Sequence, residues 1–174
     1  NKDQSSYVFN SDGYLTAIKD KYGNQVTIDV DSNGKITGLT DQSGYTYTIG
    51  YSGNYIASIT DDNSGISIRY GYDGDKLVSF TDVMGCVSTF EYDSNGKLCT
   101  IKNNDGYTVE ALTYITEEGS NKNKVLTKTD RAGNTVTYNY DTDSRCTTMT
   151  DSNGRVTKQY YDSCYNITKT IDPE

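Results

Sequence analysis

The side chains of this sequence that could do chemistry are carboxylates, thiols and phenols, because its 174 residues include no histidine. Without histidine, Ser/His/Asp and Cys/His catalysis and most zinc or copper sites are excluded. Residues 61–65 and 141–143 place side-chain oxygens at alternate positions, as calcium loops do, but no bidentate glutamate follows at the required distance. Because aspartate and asparagine also cap turns unaided, turn formation is the competing interpretation.

The carboxylates are also poorly placed for glycoside hydrolysis. A glycosidase needs two carboxyl groups held in one pocket. Here they lie in glycine-containing segments that are typical of exposed turns. We therefore predict a protein that is not an enzyme and that uses no cofactor and no metal.

The four cysteines, Cys86, Cys99, Cys146 and Cys164, are compatible with two disulfides in a secreted protein. Hairpin pairing around residues 93–96 would place Cys99 opposite Phe90, four residues from Cys86. For Cys146 and Cys164 we expect a separation of roughly 9 to 10 Å, which exceeds the reach of a disulfide. Buried free thiols that act as small hydrophobic side chains are the favoured interpretation, with disulfides and reactive thiols as alternatives.

The composition predicts a thin core that depends on tyrosine. Only 33% of the residues are hydrophobic, and the aromatic residues are 17 Tyr and 3 Phe, with no Trp. Each buried tyrosine ring therefore needs water or a hydrogen-bond partner for its hydroxyl. The formal charge of -8 and the absence of a Lys/Arg run exclude nucleic acid and anionic membranes as main partners, and no apolar stretch is long enough for membrane insertion.

One glycine-containing turn recurs along the chain at intervals of 20 or 21 residues, with one interval of 27. An Asx residue at its first position and glycine at its fourth are typical of a type I turn that ends in a left-handed glycine. These turns are Asp20–Gly23, Asp41–Gly44, Asp62–Gly65, Asp82–Gly85, Asn103–Gly106, Asp130–Gly133 and Asp151–Gly154.

A strand is predicted after every such turn. Residues one, three, five and seven positions after the glycine are mostly apolar or aromatic and the residues between them are polar, as in a half-buried strand. The tyrosines of these strands would form rows on one face, which either pack the strands together or offer a platform for sugar rings. The candidates for glycan stacking are Tyr45, Tyr47, Tyr51, Tyr70, Tyr72, Tyr138 and Tyr140.

A second turn, clearest at Asp93–Gly96, leads from this strand into a shorter one. Its Asn95-Gly96 pair predicts a type I′ hairpin turn, in which both central residues have positive φ. Two apolar residues of the shorter strand, such as Leu98 and Ile101, stand three positions apart. Because that spacing would place them on opposite faces, the shorter strand either contains a β-bulge or is covered on both faces.

Strands joined only by tight turns lie next to one another, so the predicted fold class is all-β, an antiparallel meander of β-hairpin repeats. A sheet of so many strands is expected to curl or spiral into a partial shell or solenoid-like array. We predict one array over residues 1–174, with about seven to eight units of ~21 residues and an insertion near residues 114–124. The lack of an initiator methionine suggests a segment of a longer protein.

The repeat frame, Y-D-x-x-G-K/R-L/I/V-T-x-I/L/F-x-D-x-x-G, resembles the YD repeats of the Rhs family. This family includes bacterial wall-associated proteins, polymorphic toxins, insecticidal toxin C components and teneurins. The best matches are residues 92–98 and 72–77, and Tyr140-Asp141 and Tyr161-Asp162 open later units. The resemblance implies a sheet wound into a hollow shell, which can enclose a toxic domain or serve as an adhesive surface, without catalytic residues in the repeats.

We therefore expect a non-enzymatic scaffold or shell segment of a large bacterial protein that is secreted or lies on the cell surface. The alternatives are a carbohydrate-binding or adhesive module and part of a shell around a polymorphic toxin. The expected partners are the remainder of the parent chain, glycans or another protein surface. Unpaired strands at the sheet edges also predict edge-to-edge self-association.

Overall fold

The computed structural model describes residues 4–173, which form β-strands joined by short turns. The chain divides into two compact units, Asn1–Val87 and Ser88–Glu174, each of which is a run of β-hairpins. The first contains β1 (Ser6–Phe9), β2 (Leu15–Lys19), β3 (Gln25–Val30), β4 (Ile36–Thr40), β5 (Thr46–Ser52), β6 (Tyr55–Asp61), β7 (Ser67–Asp73) and β8 (Lys76–Thr81). Then follow β9 (Val87–Tyr92), β10 (Leu98–Lys102), β11 (Thr108–Tyr114), β12 (Val125–Asp130), β13 (Thr135–Asp141), β14 (Cys146–Thr150), β15 (Val156–Tyr161) and β16 (Ile167–Ile171).

Within each unit the order of strands in the sheet is their order along the chain, and neighbouring strands are antiparallel. The predicted fold class, an all-β meander of β-hairpin repeats, is therefore confirmed. The single array over residues 1–174 stays a prediction, and residues 1–3 and 174 lie outside the described residues. In the described part of the chain, no helix has the length and apolar character needed to cross a membrane.

Six of the seven recurrent turns are closed by their own Asx residue, whereas the predicted Asp62–Gly65 turn begins one residue earlier, because the Gly65 N–H donates to the Asp61 carbonyl at 2.8 Å. In the Asp41–Gly44 turn the Gly44 N–H donates to the Asp41 carbonyl at 3.1 Å, and Gly44 has a φ of 84°. The Asp41 carboxylate accepts the N–H groups of Ser43 and Tyr45 at 2.8 and 2.9 Å. Asx capping of a turn that ends in a left-handed glycine thus explains both ends of the motif.

The type I′ prediction for Asn95-Gly96 is wrong. Among the described residues, Gly96 has a positive φ of 77°, whereas Asn95 is not one of the non-glycine residues with positive φ. The Asp93 carboxylate accepts the N–H groups of Asn95 and Lys97 at 2.8 and 2.9 Å, so this turn is built like the others. The Asx contact, which the dipeptide alone does not reveal, selects the turn type.

The shorter strand of most repeats contains a β-bulge, which explains the three-residue spacing of its apolar residues. Asp29 pairs with Gly38 and Val30 pairs with Ile36, so Thr37 is the extra residue. The bulge brings Ile36 onto the face of Leu39, which pairs with Ile28. The same shift leaves out one residue in six other strands, namely Thr16, Ala57, Val78, Cys99, Leu126 and Thr168, whereas β14 pairs with β13 without a shift.

The sheet has one apolar and one hydroxyl-rich face, as the first unit illustrates. Its apolar face carries the row Ile49–Ile59–Ile68, and its hydroxyl-rich face carries Thr48 next to Thr60. Only three apolar side chains among the described residues are buried: Ala17, Ile28 and Cys146, with 5 to 6% of their surface exposed. The core is therefore the half-buried surface of the sheet itself, which agrees with the thin core that the composition predicts.

Candidate functional site

The turn carboxylates are occupied by the turns that contain them. Asp130 accepts the N–H groups of Ala132 and Asn134 at 2.8 and 2.9 Å and the side-chain amide of Asn134 at 2.9 Å. These hydrogen bonds, the side-chain amide first, lower the pKa of Asp130. A carboxylate fixed in this way acts as a turn cap rather than as a general acid, because it is held in the charged form.

The remaining predicted turn residues lie in the same arrangement. Asp20 accepts N–H groups from Tyr22 and Asn24, and Asp151 accepts those of Asn153 and Arg155. Asp82 accepts the N–H groups of residues 84 and 86. The left-handed glycines of these turns are Gly23, Gly85, Gly133 and Gly154.

The acidic stretches that resemble calcium loops use their oxygens internally. Asp61 accepts the Asn63 N–H at 2.9 Å and the Ser64 hydroxyl at 2.7 Å. Asp141 accepts the N–H groups of residues 143 and 144, both at 3.0 Å. Within residues 4–173, no group of three or more acidic or cysteine side chains could hold a metal ion.

The candidate tyrosines lie at two kinds of position. Tyr47 and Tyr51 lie on the apolar face of β5, and Tyr70 and Tyr72 lie on that of β7. Tyr138 and Tyr140 share one face of β13, with ring centroids 6.4 Å apart. Tyr45 precedes β5, next to the turn glycine, and its side chain is half exposed. Six of the seven are thus placed to pack on neighbouring strands of their own unit.

The last tyrosine of several strands donates its hydroxyl to a backbone carbonyl of the preceding strand. The Tyr51 hydroxyl lies 2.8 Å from the Ile36 carbonyl oxygen, whereas the pairing of β4 with β5 ends at Gly38 and Thr48. The same contact joins Tyr72 to Ile56 at 2.9 Å, Tyr114 to Leu98 at 2.6 Å and Tyr140 to Val125 at 2.8 Å. The tyrosine hydroxyl therefore replaces a backbone donor where the pairing ends.

The basic residue of the repeat motif covers a tyrosine of the next repeat. Lys35 Nζ lies 5.1 Å from the centroid of the Tyr51 ring, and Lys124 Nζ lies 4.9 Å from that of Tyr140. At the equivalent position Tyr55 stacks on Tyr72, with centroids 4.9 Å apart. Cation–π contacts and ring stacking thus link consecutive repeats. These contacts cover one face of each of three candidate glycan-stacking rings, those of Tyr51, Tyr72 and Tyr140.

Sequence reasoning missed Tyr114 as a member of this set. Lys97 Nζ lies 5.1 Å from the centroid of its ring and also donates to Asn123 at 2.6 Å. Tyr114 is followed by Ile115 and the insertion, so it lacks the aspartate that follows Tyr72 and Tyr140. The signal that remains in the sequence is Lys97, which directly follows the Asp93–Gly96 turn.

All four cysteines are free in the structure, but only one of them is buried. Cys146 is buried, Cys99 is half-buried, and Cys86 and Cys164 are exposed next to or within turns. The expectation of four buried thiols is therefore wrong for the two exposed residues. Cys99 does not lie opposite Phe90 either, because it is the bulged residue of β10 and Ile101 takes that pairing.

The geometry defines an all-β repeat protein whose hairpins are joined by capped turns and tyrosine contacts. The family model of the RHS repeat matches residues 121–156 and 140–174. The resemblance to RHS repeats that the motifs predict is therefore confirmed, with the family model covering residues 121–174. No curated protein matches the chain.

Solved structures with the same fold include components of a bacterial toxin. The Photorhabdus luminescens Tc holotoxin pore with a TccC3 mutation is 16% identical, with a TM-score of 0.60, over 97% of this chain and 9% of that chain. TcdB2-TccC3 without its hypervariable C-terminal region is 15% identical, with a TM-score of 0.62, over 97% of this chain and 10% of that chain. The chain thus spans about a tenth of the length of these proteins.

Proposed function

We propose that this chain is a non-enzymatic scaffold segment in the wall of a shell formed by a larger bacterial protein. The observation that carries the proposal is the internal use of its repeated polar groups. Turn carboxylates such as Asp130 cap backbone N–H groups, and hydroxyls such as that of Tyr140 satisfy backbone carbonyls. These are the groups that a catalytic or binding surface would need to leave available.

The finer parts of the proposal rest on the similarity to TccC3. We propose that the shell encloses a toxin and that the protein is secreted or displayed at the cell surface. The solved relatives contain TcdB2 together with TccC3, so a TcdB2-like component and the remainder of the parent chain are the proposed partners. At 15% sequence identity the two proteins share a fold, and the shared role is the part that we propose.

Limited proteolysis of the longest natural chain that contains this sequence tests the wall role. A wall segment pairs through its edge strands with neighbouring repeats, so we expect no soluble monomeric fragment that corresponds to residues 4–173. A module carried on linkers would be released by cuts on both sides. Release of such a fragment with its β-sheet spectrum intact would contradict the wall proposal.

A carbohydrate-binding or adhesive role is the second candidate, and exposed aromatic rings near the turns favour it. Tyr22 and Tyr45 have 78% and 50% of their surface exposed, whereas Tyr51 is half-buried beneath Lys35. A glycan array on the wild type, Tyr45→Ala and Tyr22→Ala would detect it. A reproducible signal that these changes remove, and that Tyr51→Phe retains, would support adhesion, whereas signals equal to background would exclude it.

A further inference from the structure

A pocket of about 380 Å³ opens on the apolar face of the first unit. Ile59 and Ile68, which pair with each other on neighbouring strands, line it. Ile66 and Val83 also line it, with 49% and 60% of their surface exposed. The two side chains therefore leave apolar surface accessible within the pocket.

The pocket lies at an irregular turn of the first unit. In the regular turn the Asp41 N–H donates to the carbonyl of Tyr45, four residues later, at 2.9 Å. The Asp61 N–H instead donates to the carbonyl of Ile66, five residues later, also at 2.9 Å. This longer turn supplies Asp61, Ser64 and Ile66 to the lining.

The pocket carries a negative charge beside its apolar lining. Among the described residues that line it, Asp61 bears the one formal charge. Hydrogen bonds from the Ser64 hydroxyl and the Asn63 N–H lower the pKa of Asp61, so it is an anion at neutral pH. Two hydrogen bonds leave acceptor capacity on a carboxylate, which has about four lone-pair sites.

We propose that this pocket binds small amphipathic cations, molecules with an apolar ring and one ammonium group. The apolar ring would lie against Ile59, Ile68 and Val83, and the ammonium would pair with the Asp61 carboxylate. Apolar walls with one polar group that fixes orientation are typical of small-molecule sites. The formal charge of -8 on the whole chain further favours a cationic ligand.

Three indole compounds that differ mainly in charge test the proposal: tryptamine, tryptophol and indoleacetate. The chain has no tryptophan, so the fluorescence anisotropy of the indole reports the ligand when it is excited at wavelengths beyond the absorption of the 17 tyrosines. We expect tryptamine to bind about threefold more tightly than tryptophol, the range of an exposed ion pair, and indoleacetate to bind most weakly. Equal binding of the three compounds, or no saturable change with tryptamine, would overturn the proposal.

Two pairs of variants locate the site. Asp61→Asn keeps a side-chain acceptor for the turn but removes the charge, so tryptamine should then bind no better than tryptophol. Asp31→Asn is the matched control, since Asp31 also caps a turn of the same unit, where it accepts the N–H groups of Asn33 and Lys35, and it does not line the pocket. Val83→Ser should weaken all three compounds, whereas Met84→Ser, at a neighbouring residue with 83% exposure that does not line the pocket, should weaken none.

Salt dependence keeps the test decisive if a variant fails to fold. For the wild-type chain, tryptamine affinity should fall with rising salt concentration while tryptophol affinity stays constant. Equal losses of tryptamine affinity in Asp61→Asn and Asp31→Asn would indicate that the net negative charge of the chain attracts the ligand, and would contradict the assignment of the binding site to the pocket at Asp61. The proposal does not depend on the scaffold role, because all the residues that line the pocket belong to the first unit of this chain.

Discussion

Replacing Tyr140 by phenylalanine tests the bracing role of the tyrosine hydroxyls. The change removes the hydrogen bond of 2.8 Å to the Val125 carbonyl but leaves the ring under Lys124. The pairing of β12 with β13 ends at Thr127 and Thr137, so no strand pairing replaces the lost donor. Because the site is only half-buried, water can reach the carbonyl, and we expect a loss of about 1 kcal/mol.

Hydrogen exchange measured by mass spectrometry detects this loss locally. A destabilisation of about 1 kcal/mol should accelerate exchange about fivefold in peptides that cover β12 and β13. Tyr45→Phe is the control, because the Tyr45 side chain is half exposed next to a turn. Exchange in Tyr140→Phe that is no faster than in this control would refute the bracing role.

Four other outcomes are expected. Burial raises the pKa of Tyr140, so the contribution of this residue to stability is complete below the unfolded-state pKa of about 10 and is lost as pH rises through the folded-state value. In urea unfolding above about pH 10, the free energy of unfolding should therefore fall less with rising pH in Tyr140→Phe than in the wild type. Hydrogen bonds lower the pKa of Asp130 from 3.8, so the contribution of this residue to stability is present above that value and is lost as pH falls through the folded-state pKa. On acidification, the free energy of unfolding of Asp130→Asn should therefore fall less than that of the wild type. Arg145 has a φ of 50°, so Arg145→Gly should raise the free energy of unfolding by about 1 kcal/mol in urea, and equal stability of Arg145→Gly and Arg145→Ala would contradict backbone strain there. All five residues of β16 are exposed, so light scattering should show association that grows with concentration, and a strict monomer would contradict edge pairing.

The turns and strand order could be predicted from sequence because their causes are local. An aspartate that caps the N–H groups two and four residues later, as Asp41 does, acts within one turn. The alternation of apolar and polar residues then fixes the strands, and tight turns leave a meander as the simplest topology. The resemblance to the Rhs family follows from the same local motif.

The features that sequence reasoning missed depend on contacts between strands. The choice between a bulge and a doubly covered strand depends on register, which places Ile36 opposite Val30 and leaves Thr37 out. The partner of the Tyr51 hydroxyl is a carbonyl 15 residues away, and nothing local to the tyrosine specifies it. The apolar pocket likewise depends on Val83 of a separate turn as well as on the longer turn at Asp61.

The structure explains why the repeat motif has a basic residue before the first apolar residue of the shorter strand. Lysine before the first apolar residue of the shorter strand covers a ring of the next repeat, as Lys35 covers Tyr51. Tyr55 does the same by stacking on Tyr72. The position therefore favours side chains that interact with an aromatic face, which a spacing pattern alone does not indicate.

Electron cryomicroscopy of the longest natural chain that contains this sequence tests the central proposal most directly. We expect residues 4–173 to form consecutive hairpins within a wall that continues into neighbouring repeats, with the Tyr51 and Tyr140 hydroxyls on the carbonyls of Ile36 and Val125. A separate compact domain at this segment, with both of its edge strands free of neighbouring repeats, would contradict the shell proposal.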